Sequence, residues 1–514
     1  MAAPLYTTAS GLLFHAGKIL VITVGLPARG KTHISRALER YLRWMGVKTQ
    51  VVSLGDYRRK TLGGAQRLPP DYFTLGEKSP ETIALRKKVS DGCEKLIWDF
   101  FETGQVVIYD ANNGSRAARQ ALAEKFDKAG VHVVILGEIS MRQQGDYREQ
   151  YSKCQNFFAR RAFYYSFGSF LALISNQYRG WDQDKAVQDY YTRINDHEKY
   201  YEPVEETNVA VYTDSEFHIL YALQVGEKIM VNNIKGYLQS RIVFFLMNIH
   251  NRYRTIYFAR SGQSLIEHSY KADSDLSPAG WEYAEKLKEF VLKRRAKSLE
   301  QRGLDPNSSR TRGTPAEPAP GHNITKSTSI YAPALNVKVI EKPQMSEINP
   351  GIWDGLSPDQ ARKYYPQDWE RFVKDPYAFR APRAESYHDL SVRLEPILIE
   401  LEREREDLLI IGHASVIRCL LAYLIGLPAS EIPAIEIARG DLLEVVPASY
   451  GVHSTAFHFW DGPGRHGGED AEYAGSDGDN ESNFYENYAE DTKGKRKAAP
   501  ESGSFDALPV VDCV

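Results

Sequence analysis

The segment from Gly25 to Thr32 reads GLPARGKT and matches the pattern G-x-x-x-x-G-K-[ST] in full. It follows the apolar run KILVITVG and precedes THISRALERYLRWMG, whose apolar residues recur at helical spacing. A glycine-rich loop between a strand and a helix lets backbone N–H groups approach phosphate oxygens, and the helix N-terminus adds positive potential. The segment therefore predicts a phosphate-binding loop that opens a nucleotide-binding domain.

Within this loop, Gly25, Gly30, Lys31 and Thr32 are the residues we expect to bind ATP. Lys31 can reach the β- and γ-phosphates, and the Thr32 hydroxyl can ligate Mg²⁺ held by the nucleotide. Asp110 ends the run VVIYD and is the best candidate for an acidic group near Mg²⁺ and the acceptor hydroxyl. An aspartate at the end of a strand is also a common helix cap, so its position does not decide between the two roles.

Short runs rich in valine and isoleucine recur between helical patterns in the first half of the chain. They lie at 18–25, 49–55, 105–111 and 131–137. Continuous apolar runs of this length are typical of strands buried on both faces of a parallel sheet. The alternation predicts an α/β domain with a parallel sheet and helices on both faces, and the glycine-rich loop makes it a P-loop domain of the kinase type.

The rest of the chain predicts a second α/β domain, since 514 residues exceed one ordinary core. We expect a helical connector over 220–250, a strand at 407–415 and a helix at 416–424. The predicted divisions are a flexible tail at 1–16, a kinase-like domain at 17–250, a second domain at 251–460 with an exposed insertion at 298–329, and a disordered tail at 461–514.

Composition narrows the possible partners. The net charge is -3, and the four cysteines are scattered without a CxxC pair. We therefore expect no nucleic-acid partner and reduced thiols. No run approaches the ~20 apolar residues that span a bilayer, so we also expect no membrane partner and a cytoplasmic location.

Six segments together support a family resemblance: GLPARGKTHIS, SLGDYRRK, ALRKK, YDANNGSR, TRINDHEKYYEP and GYLQSRIVFFLMNIH. In this order they resemble the kinase half of the bifunctional 6-phosphofructo-2-kinase/fructose-2,6-bisphosphatase family, in a fungal-type member. The resemblance implies transfer of the ATP γ-phosphoryl group to the 2-hydroxyl of fructose 6-phosphate, with Lys31 and Asp110 catalytic. It also implies that Arg58, Arg86 and Arg193 hold the sugar 6-phosphate, that Asn112 offers a further hydrogen bond, and that the chain forms a homodimer.

The stretch at 141–174 departs from the family pattern. The family has a short helix there, ending in a lysine that serves ATP and substrate, whereas this chain has a longer, aromatic-rich segment with Lys153 nearby. The segment is either a true insertion or the product of an incorrect gene structure. If it replaces the helix, we expect kinase activity to be weakened or lost.

The second half resembles the histidine phosphatase domain of the same family. The segments ARSG, DSDLSPAGWEYA, MSEINPGIWDG, RAESYHDLSVRLEPILIELE and LLIIGHASVIRCLLAYL carry this resemblance. It places Ser261 where the nucleophilic histidine would stand. It assigns Arg260, Glu347 and His413 to the positions beside the nucleophile, with Arg418 as a further residue of the pocket.

A serine at position 261 argues against phosphatase chemistry. A serine hydroxyl is a poor nucleophile without a base, and a phosphoserine ester hydrolyses less readily than a phosphohistidine. Ala414 stands where the family has a substrate-contacting glutamine, and the family's central arginine has no clear equivalent. The leading hypothesis is a kinase with an inactive phosphatase domain. The alternatives are a catalytically silent regulatory paralogue and a bifunctional enzyme with residual bisphosphatase activity.

Overall fold

The computed structural model describes most of the chain as two α/β halves. The described residues are 17–26, 30–74, 76–137, 196–202, 204, 218–224, 228–232, 237–250, 254–265, 275–301, 339–448 and 451–462. The predicted tail at 1–16 and the stretch at 141–174 lie outside these residues, as do nearly all residues of the tail predicted at 461–514. The limits of the domains therefore stay predictions.

The first half contains a six-stranded sheet in the order β2-β3-β1-β4-β5-β6. Every neighbouring pair is parallel except β5 and β6, which are antiparallel. The four strands predicted from the valine- and isoleucine-rich runs are confirmed. The strands are β1 (Lys18–Val24), β2 (Thr49–Ser53), β3 (Val106–Asp110), β4 (Val131–Gly137), β5 (His218–Gln224) and β6 (Lys228–Asn232).

The prediction of a helical connector over 220–250 was wrong for its first part. The segment forms the antiparallel hairpin β5–β6, and a helix begins only at Tyr237. Both strands are short apolar runs, which periodicity cannot distinguish from a buried helix. Pairing of β5 with β4 extends the sheet, and this tertiary contact decides the conformation.

Helices cover both faces of the sheet, as predicted. Ile19 and Val21 of β1 share a core with Leu38 of the first helix, whereas Leu20 of β1 packs with Ile97 on the opposite face. Successive residues of a strand point to opposite faces, which explains this division. The helices of this half are α1 (Lys31–Trp44), α2 (Leu54–Leu62), α3 (Pro80–Phe101), α4 (Arg116–Asp127) and α5 (Tyr237–Asn248).

Serine caps begin three of these helices. The side chains of Ser53, Ser79 and Ser115 accept hydrogen bonds from backbone N–H groups in the first turns of α2, α3 and α4. Such caps satisfy amide groups that have no partner within the helix. Helix α1 differs, because its N-cap residue is Gly30, which has no side chain to supply this bond.

The second half contains a four-stranded sheet in the order β10-β9-β7-β8. Strands β7 and β8 are parallel, whereas β9 pairs antiparallel with both β7 and β10. The sequence interpretation did not include the β9–β10 hairpin. The strands are β7 (Ile256–Arg260), β8 (Leu408–Gly412), β9 (Asp441–Ala448) and β10 (Gly451–His458).

The predicted strand at 407–415 is shorter in the structure, because His413 is the N-cap of a helix that begins at Ala414. The predicted helix at 416–424 is confirmed within this longer one. Another helix continues to Gln301, into the start of the insertion predicted at 298–329, and the remainder of that insertion lies outside the described residues. The helices of this half are α6 (Pro278–Gln301), α7 (Pro358–Tyr364), α8 (Pro366–Lys374), α9 (Tyr387–Arg403) and α10 (Ala414–Ile425).

One hydrophobic core is common to both halves. It joins residues of α1, such as Leu38 and Leu42, to residues of α9 and α10, such as Leu398 and Leu420. All four side chains are completely buried. Helix α1 is therefore packed between the first sheet and the helices of the second half.

Candidate active sites

The glycine-rich loop leads from β1 into the first turn of α1. Gly30 has φ of 79°, in the left-handed region that glycine adopts without strain. Gly25 donates its backbone N–H to the carbonyl oxygen of Asn112 at 3.1 Å. The Lys31 ammonium group donates to the carbonyl oxygen of Leu26 at 2.5 Å. Residues 27–29 lie outside the described residues.

Thr32 and Asp110 meet at the carboxyl end of the sheet. The Thr32 hydroxyl donates a hydrogen bond of 2.8 Å to Oδ2 of Asp110. Ser53 lies beside Asp110 in the β2–β3 register and also hydrogen-bonds to its carboxylate. Burial raises the pKa of Asp110, and this effect outweighs the Thr32 hydrogen bond and the nearby Lys31 charge, which lower it. Three predicted residues, Lys31, Thr32 and Asp110, thus lie together, and Ser53 joins them.

The residues at this site fit a Mg²⁺–nucleotide. The Thr32 hydroxyl and the Asp110 carboxylate bring oxygen ligands of the type that Mg²⁺ prefers to one point. The N-terminus of α1 is capped by a glycine, and a Cβ placed on Gly30 would meet no atom of the described residues within 4 Å. This open helix end is suited to a phosphate group.

The turn after Asp110 is fixed by Thr23 of β1. The Thr23 hydroxyl donates to the carbonyl oxygen of Ala111 at 3.1 Å. The backbone carbonyl oxygen of Thr23 accepts a hydrogen bond from the Asn113 side chain at 2.8 Å. Asn113 has φ of 45°, a left-handed conformation that asparagine tolerates better than most residues. The described contact of Asn112, in contrast, is made by its backbone, so its predicted substrate role remains a prediction.

Arg58 and Arg86, which we expect to hold the sugar phosphate, lie near the aromatic pair Tyr72 and Phe73. The Arg58 guanidinium lies 4.9 Å from the ring centre of Phe73, and Arg58 is 5% exposed. Burial raises the pKa of the Tyr72 hydroxyl. The positive charges of Arg58 and Arg86 lower this pKa, but by less than burial raises it. Arg58 of α2 therefore contacts the aromatic pair, whereas the exposed Arg86 of α3 acts on Tyr72 through its charge. Arg193 lies outside the described residues.

Asp71 holds the loop that carries this aromatic pair. Its side chain accepts hydrogen bonds from the Ser79 backbone N–H at 2.7 Å and from the Thr82 hydroxyl at 2.6 Å. The Thr82 and Ser79 hydrogen bonds lower the pKa of Asp71 to about 2. The sequence interpretation missed Asp71, Tyr72 and Phe73, because a loop of mixed composition gave no periodic signal.

A second group of polar residues lies where β7 and β8 end side by side. The Ser261 backbone N–H donates to the carbonyl oxygen of Gly412 at 2.9 Å, and His413 follows directly. His413 Nδ1 lies 3.0 Å from Oε2 of Glu347. Burial lowers the pKa of His413, but the Glu347 carboxylate raises it more, so the net pKa lies above its ordinary value. His413 and Glu347 therefore form a charge-assisted pair.

Two arginines lie close to this pair. Arg260 donates to the carbonyl oxygen of Ile437 at 3.1 Å, and Arg439 donates to the carbonyl oxygen of Ser261 at 3.2 Å. Both positive charges act on the His413 imidazole. Arg439 was missed by sequence reasoning, because it follows no recognisable motif and reaches the group through the loop before β9.

Arg418 lies buried on α10, the helix whose N-cap is His413. It is 2% exposed, and it donates to the carbonyl oxygen of Ile435 at 2.6 Å and to the Tyr387 hydroxyl at 3.3 Å. Burial raises the pKa of Tyr387 to about 12. The sequence interpretation grouped Arg418 with the pocket, and this stays a prediction.

Comparison with known proteins shows which family this chain resembles. The family model 6-phosphofructo-2-kinase matches residues 6–144 and 170–253, and the histidine phosphatase superfamily (branch 1) model matches residues 324–458. Human 6-phosphofructo-2-kinase/fructose-2,6-bisphosphatase 1 is 32% identical over 436 residues, which cover 84% of this chain and 82% of the human protein. The chain belongs to the 6-phosphofructo-2-kinase/fructose-2,6-bisphosphatase family.

Two yeast relatives of this family extend the comparison. Saccharomyces cerevisiae YLR345W, named as a protein of the family, is 35% identical over 86% of this chain and 83% of its own length. The Saccharomyces cerevisiae fructose-2,6-bisphosphatase is 31% identical over 85% of this chain and 88% of its own length. Among solved structures, Bacillus stearothermophilus YhfR covers 40% of this chain and 98% of its own, with a TM-score of 0.31 and 20% identity. Because that score is low, the family assignment rests on the sequence matches.

Two parts of this 6-phosphofructo-2-kinase/fructose-2,6-bisphosphatase family member lie outside the residues that the family models match. Residues 145–169 lie between the two matched parts of the kinase model. The histidine phosphatase match begins at residue 324, after Ser261, and does not bear on that serine.

None of the helices in the described part of the chain is both long and apolar enough to cross a membrane.

Proposed function

We propose that this chain is a cytoplasmic 6-phosphofructo-2-kinase, which transfers the γ-phosphoryl group of ATP to the 2-hydroxyl of fructose 6-phosphate. The observation that supports this most strongly is the 2.8 Å contact between Thr32 and Asp110, beside Lys31 at the glycine-capped start of α1. Membership of the family supports ATP and fructose 6-phosphate as the substrates.

In this proposal Lys31, Thr32 and Asp110 each have a separate role in phosphoryl transfer. The Lys31 ammonium leaves the Leu26 carbonyl and binds the β- and γ-phosphate oxygens. Thr32 would hold Mg²⁺, which would neutralise charge on the phosphates. Asp110 accepts the proton of the 2-hydroxyl as that oxygen bonds to the γ-phosphorus, while the bond from this phosphorus to the bridging oxygen breaks and ADP leaves. The raised pKa of Asp110 favours this role.

The proposed sugar site lies between α2 and α3. Arg58 and Arg86 would hold the 6-phosphate, because a guanidinium can bind a phosphate through two parallel hydrogen bonds. Phe73 restrains Arg58 through a cation–π contact at 4.9 Å. Asn112 and Arg193 remain proposed ligands of the sugar phosphate on the basis of the family resemblance.

The proposal assigns no hydrolytic activity to the second half. Ser261 offers an alcohol in place of an imidazole nucleophile, and its neighbour His413 is paired with Glu347 at 3.0 Å. The net rise in the pKa of His413 favours the protonated form, which cannot act as a base for the serine hydroxyl. Removal of a covalent nucleophile usually costs several orders of magnitude in rate.

The product of the reaction tests this proposal directly. The full-length protein is incubated with Mg²⁺ and γ-labelled ATP, with and without fructose 6-phosphate. We expect label to appear in a sugar bisphosphate that releases it in mild acid, because a phosphate on the anomeric carbon is acid-labile. A Lys31→Ala variant should form none. Absence of labelled sugar from the unaltered protein would contradict the proposal.

A catalytically silent regulatory paralogue is the second candidate. The gap at 145–169 in the match to the kinase family model favours it, since the family's expected lysine falls in this region. This alternative predicts binding of Mg²⁺–ATP or sugar phosphate without turnover. The third candidate, residual bisphosphatase activity, predicts phosphate release that Glu347→Ala abolishes. A homodimer is also proposed, and light scattering on the purified chain tests it.

A further inference from the structure

Helix α1 carries Lys31 and Thr32 in its first turn, and its other end lies against the phosphatase-like half. The Trp44 indole Nε1–H donates to the carbonyl oxygen of Cys419 at 3.2 Å. Cys419 belongs to α10, the helix that begins directly after His413. The helix of the phosphate-binding loop is thus bonded to the helix of the degenerate phosphatase site.

A second buried contact lies on the same face of α1. The Tyr41 hydroxyl donates to Oε1 of Glu395 at 2.8 Å, and the Tyr41 ring stacks on Phe245 at 4.3 Å. Glu395 belongs to α9 of the phosphatase-like half and also pairs with Arg241 of α5. Tyr41 is completely buried, so this hydroxyl depends on Glu395 rather than on water.

A third contact continues along the helix toward its start. Arg40 of α1 lies over the Tyr423 ring of α10 at 5.9 Å. The Tyr423 hydroxyl donates to Oε1 of Glu402 at 2.7 Å, and Arg254 donates to Oε2 of the same carboxylate at 3.2 Å. His33, in the first turn of α1, hydrogen-bonds to the backbone of His250. Contacts with residues outside the sheet therefore run along α1 from its first turn to its last.

We propose that the phosphatase-like half acts as the positioning element of the kinase site. The positioning residues are Tyr41 and Trp44 on α1 and Tyr423 on the phosphatase-like half. The inference rests on the proposed kinase function. It explains a use for a phosphatase-like half whose nucleophile is absent. The half holds α1 at one angle and one depth, so that Lys31 and Thr32 meet the nucleotide at the correct place.

The physical reason is the rigidity of a helix. A helix moves as one body, so a shift at Tyr41 or Trp44 is transmitted to the first turn that carries Lys31 and Thr32. A misplacement of about 1 Å in a reacting group can cost about a hundredfold in rate. Apolar contacts alone are non-directional, whereas buried hydrogen bonds at fixed positions specify one orientation.

The effect should be specific to ATP. The proposed sugar ligands Arg58 and Arg86 lie on α2 and α3, and neither residue belongs to α1. Displacement of α1 should therefore alter ATP binding and kcat while leaving the KM for fructose 6-phosphate close to its original value. A general loss of folded protein would instead lower the active concentration and change no KM.

Three conservative variants of the full-length protein test the proposal: Tyr41→Phe, Trp44→Phe and Tyr423→Phe. Each removes one hydrogen-bond donor and retains an aromatic ring, although Trp44→Phe also removes part of the ring volume. The bonds lost from Tyr41 and Trp44 join α1 directly to the phosphatase-like half, whereas the bond lost from Tyr423 fixes the ring that Arg40 of α1 contacts. We expect each to raise the KM for ATP and the Kd for Mg²⁺–ATP about threefold to tenfold, the range of one buried hydrogen bond. The KM for fructose 6-phosphate should change less than about twofold by the same reasoning.

Glu444→Gln is the matched control. Glu444 makes a partly buried two-bond ion pair with Arg294 at 2.8 and 3.1 Å, in the phosphatase-like half and on β9 rather than on a helix that contacts α1. This variant should lower the melting temperature without changing either KM. Unchanged ATP constants in all three aromatic variants would overturn the proposal, and so would equal changes in both KM values. Calorimetric binding of Mg²⁺–ATP separates this outcome from failure of the proposed function, because it needs no turnover.

Discussion

The Thr32 hydroxyl donates a 2.8 Å hydrogen bond to the Asp110 carboxylate, joining the first turn of α1 to the end of β3. This contact brings together the two groups that a P-loop kinase needs near its metal ion. If Thr32 and Asp110 mark the Mg²⁺ site, Thr32→Ser should retain most of the kinase activity, because serine keeps the hydroxyl. Thr32→Val has a similar shape without the hydroxyl and should lose about a hundredfold in kcat. Steady-state rates with varied Mg²⁺ measure both, and equal rates for the two variants would contradict the assignment.

Arg58→Lys should raise the KM for fructose 6-phosphate about tenfold to a hundredfold, because lysine cannot reproduce the two-bond geometry of a guanidinium. The KM for ATP should remain unchanged. Arg371→Lys, at a side chain that is 73% exposed in the other half, is the control and should alter neither constant. An unchanged KM for the sugar in Arg58→Lys would remove Arg58 from the proposed site.

Glu347→Gln should lower the pKa of His413. In the unaltered protein the net pKa of His413 is raised above its ordinary value of 6.5, so this pair stabilises the fold fully below that value. The contribution is lost as the pH rises through the raised pKa. NMR of ring-labelled histidine, assigned with His413→Asn, measures the pKa directly. The destabilisation caused by Glu347→Gln should be larger at about pH 6 than at about pH 9, and the reverse order would be inconsistent with the pair.

Arg418→Met should destabilise the protein without any direct loss of a phosphate ligand. The change leaves the Ile435 carbonyl and the Tyr387 hydroxyl without the donor they have now. We expect a loss of about 2–4 kcal/mol in the free energy of unfolding, measured by urea denaturation. Arg380→Met, at a side chain that is 61% exposed, should change it by less than about 1 kcal/mol. Equal effects would show that the hydrogen bonds of Arg418 do not contribute to the free energy of unfolding.

Ser261→His should restore little bisphosphatase activity. The backbone of Ser261 is already held by Gly412 and Arg439, so a histidine there would lie beside His413. Ala414 and the missing central arginine would still leave the substrate poorly held. Phosphate release from fructose 2,6-bisphosphate measures the outcome. Recovery to the rate of a bifunctional relative would show that the serine is the single defect.

Much of the first site could be predicted from the sequence, because local signals coincide there. The P-loop pattern placed Gly30, Lys31 and Thr32, and the valine-rich run placed Asp110 at a strand end. Ser53 was within reach of the same reasoning, since the carboxyl ends of parallel strands meet at one edge of the sheet. The contacts of Tyr72 and Phe73 were not, because they depend on how an irregular loop closes on Asp71.

The second site was predicted less completely because its parts come from distant elements. Arg439 reaches Ser261 across 178 positions of sequence, and no periodic pattern marks it. The apolar runs of the hairpin β5–β6 wrongly predict a helix, because short apolar runs fit both the helical and the strand period. The core shared by α1 and α10 could not be foreseen either, since helical spacing shows which face is apolar and not which partner covers it.

The most direct test of the account follows ADP and inorganic phosphate in one reaction of the full-length protein with Mg²⁺–ATP, with and without fructose 6-phosphate. We predict ADP that depends on the sugar, exceeds that of Lys31→Ala and is accompanied by no inorganic phosphate. Sugar-dependent ADP matched by an equal amount of inorganic phosphate would contradict the silent phosphatase half. No sugar-dependent ADP above the Lys31→Ala level would contradict the kinase itself.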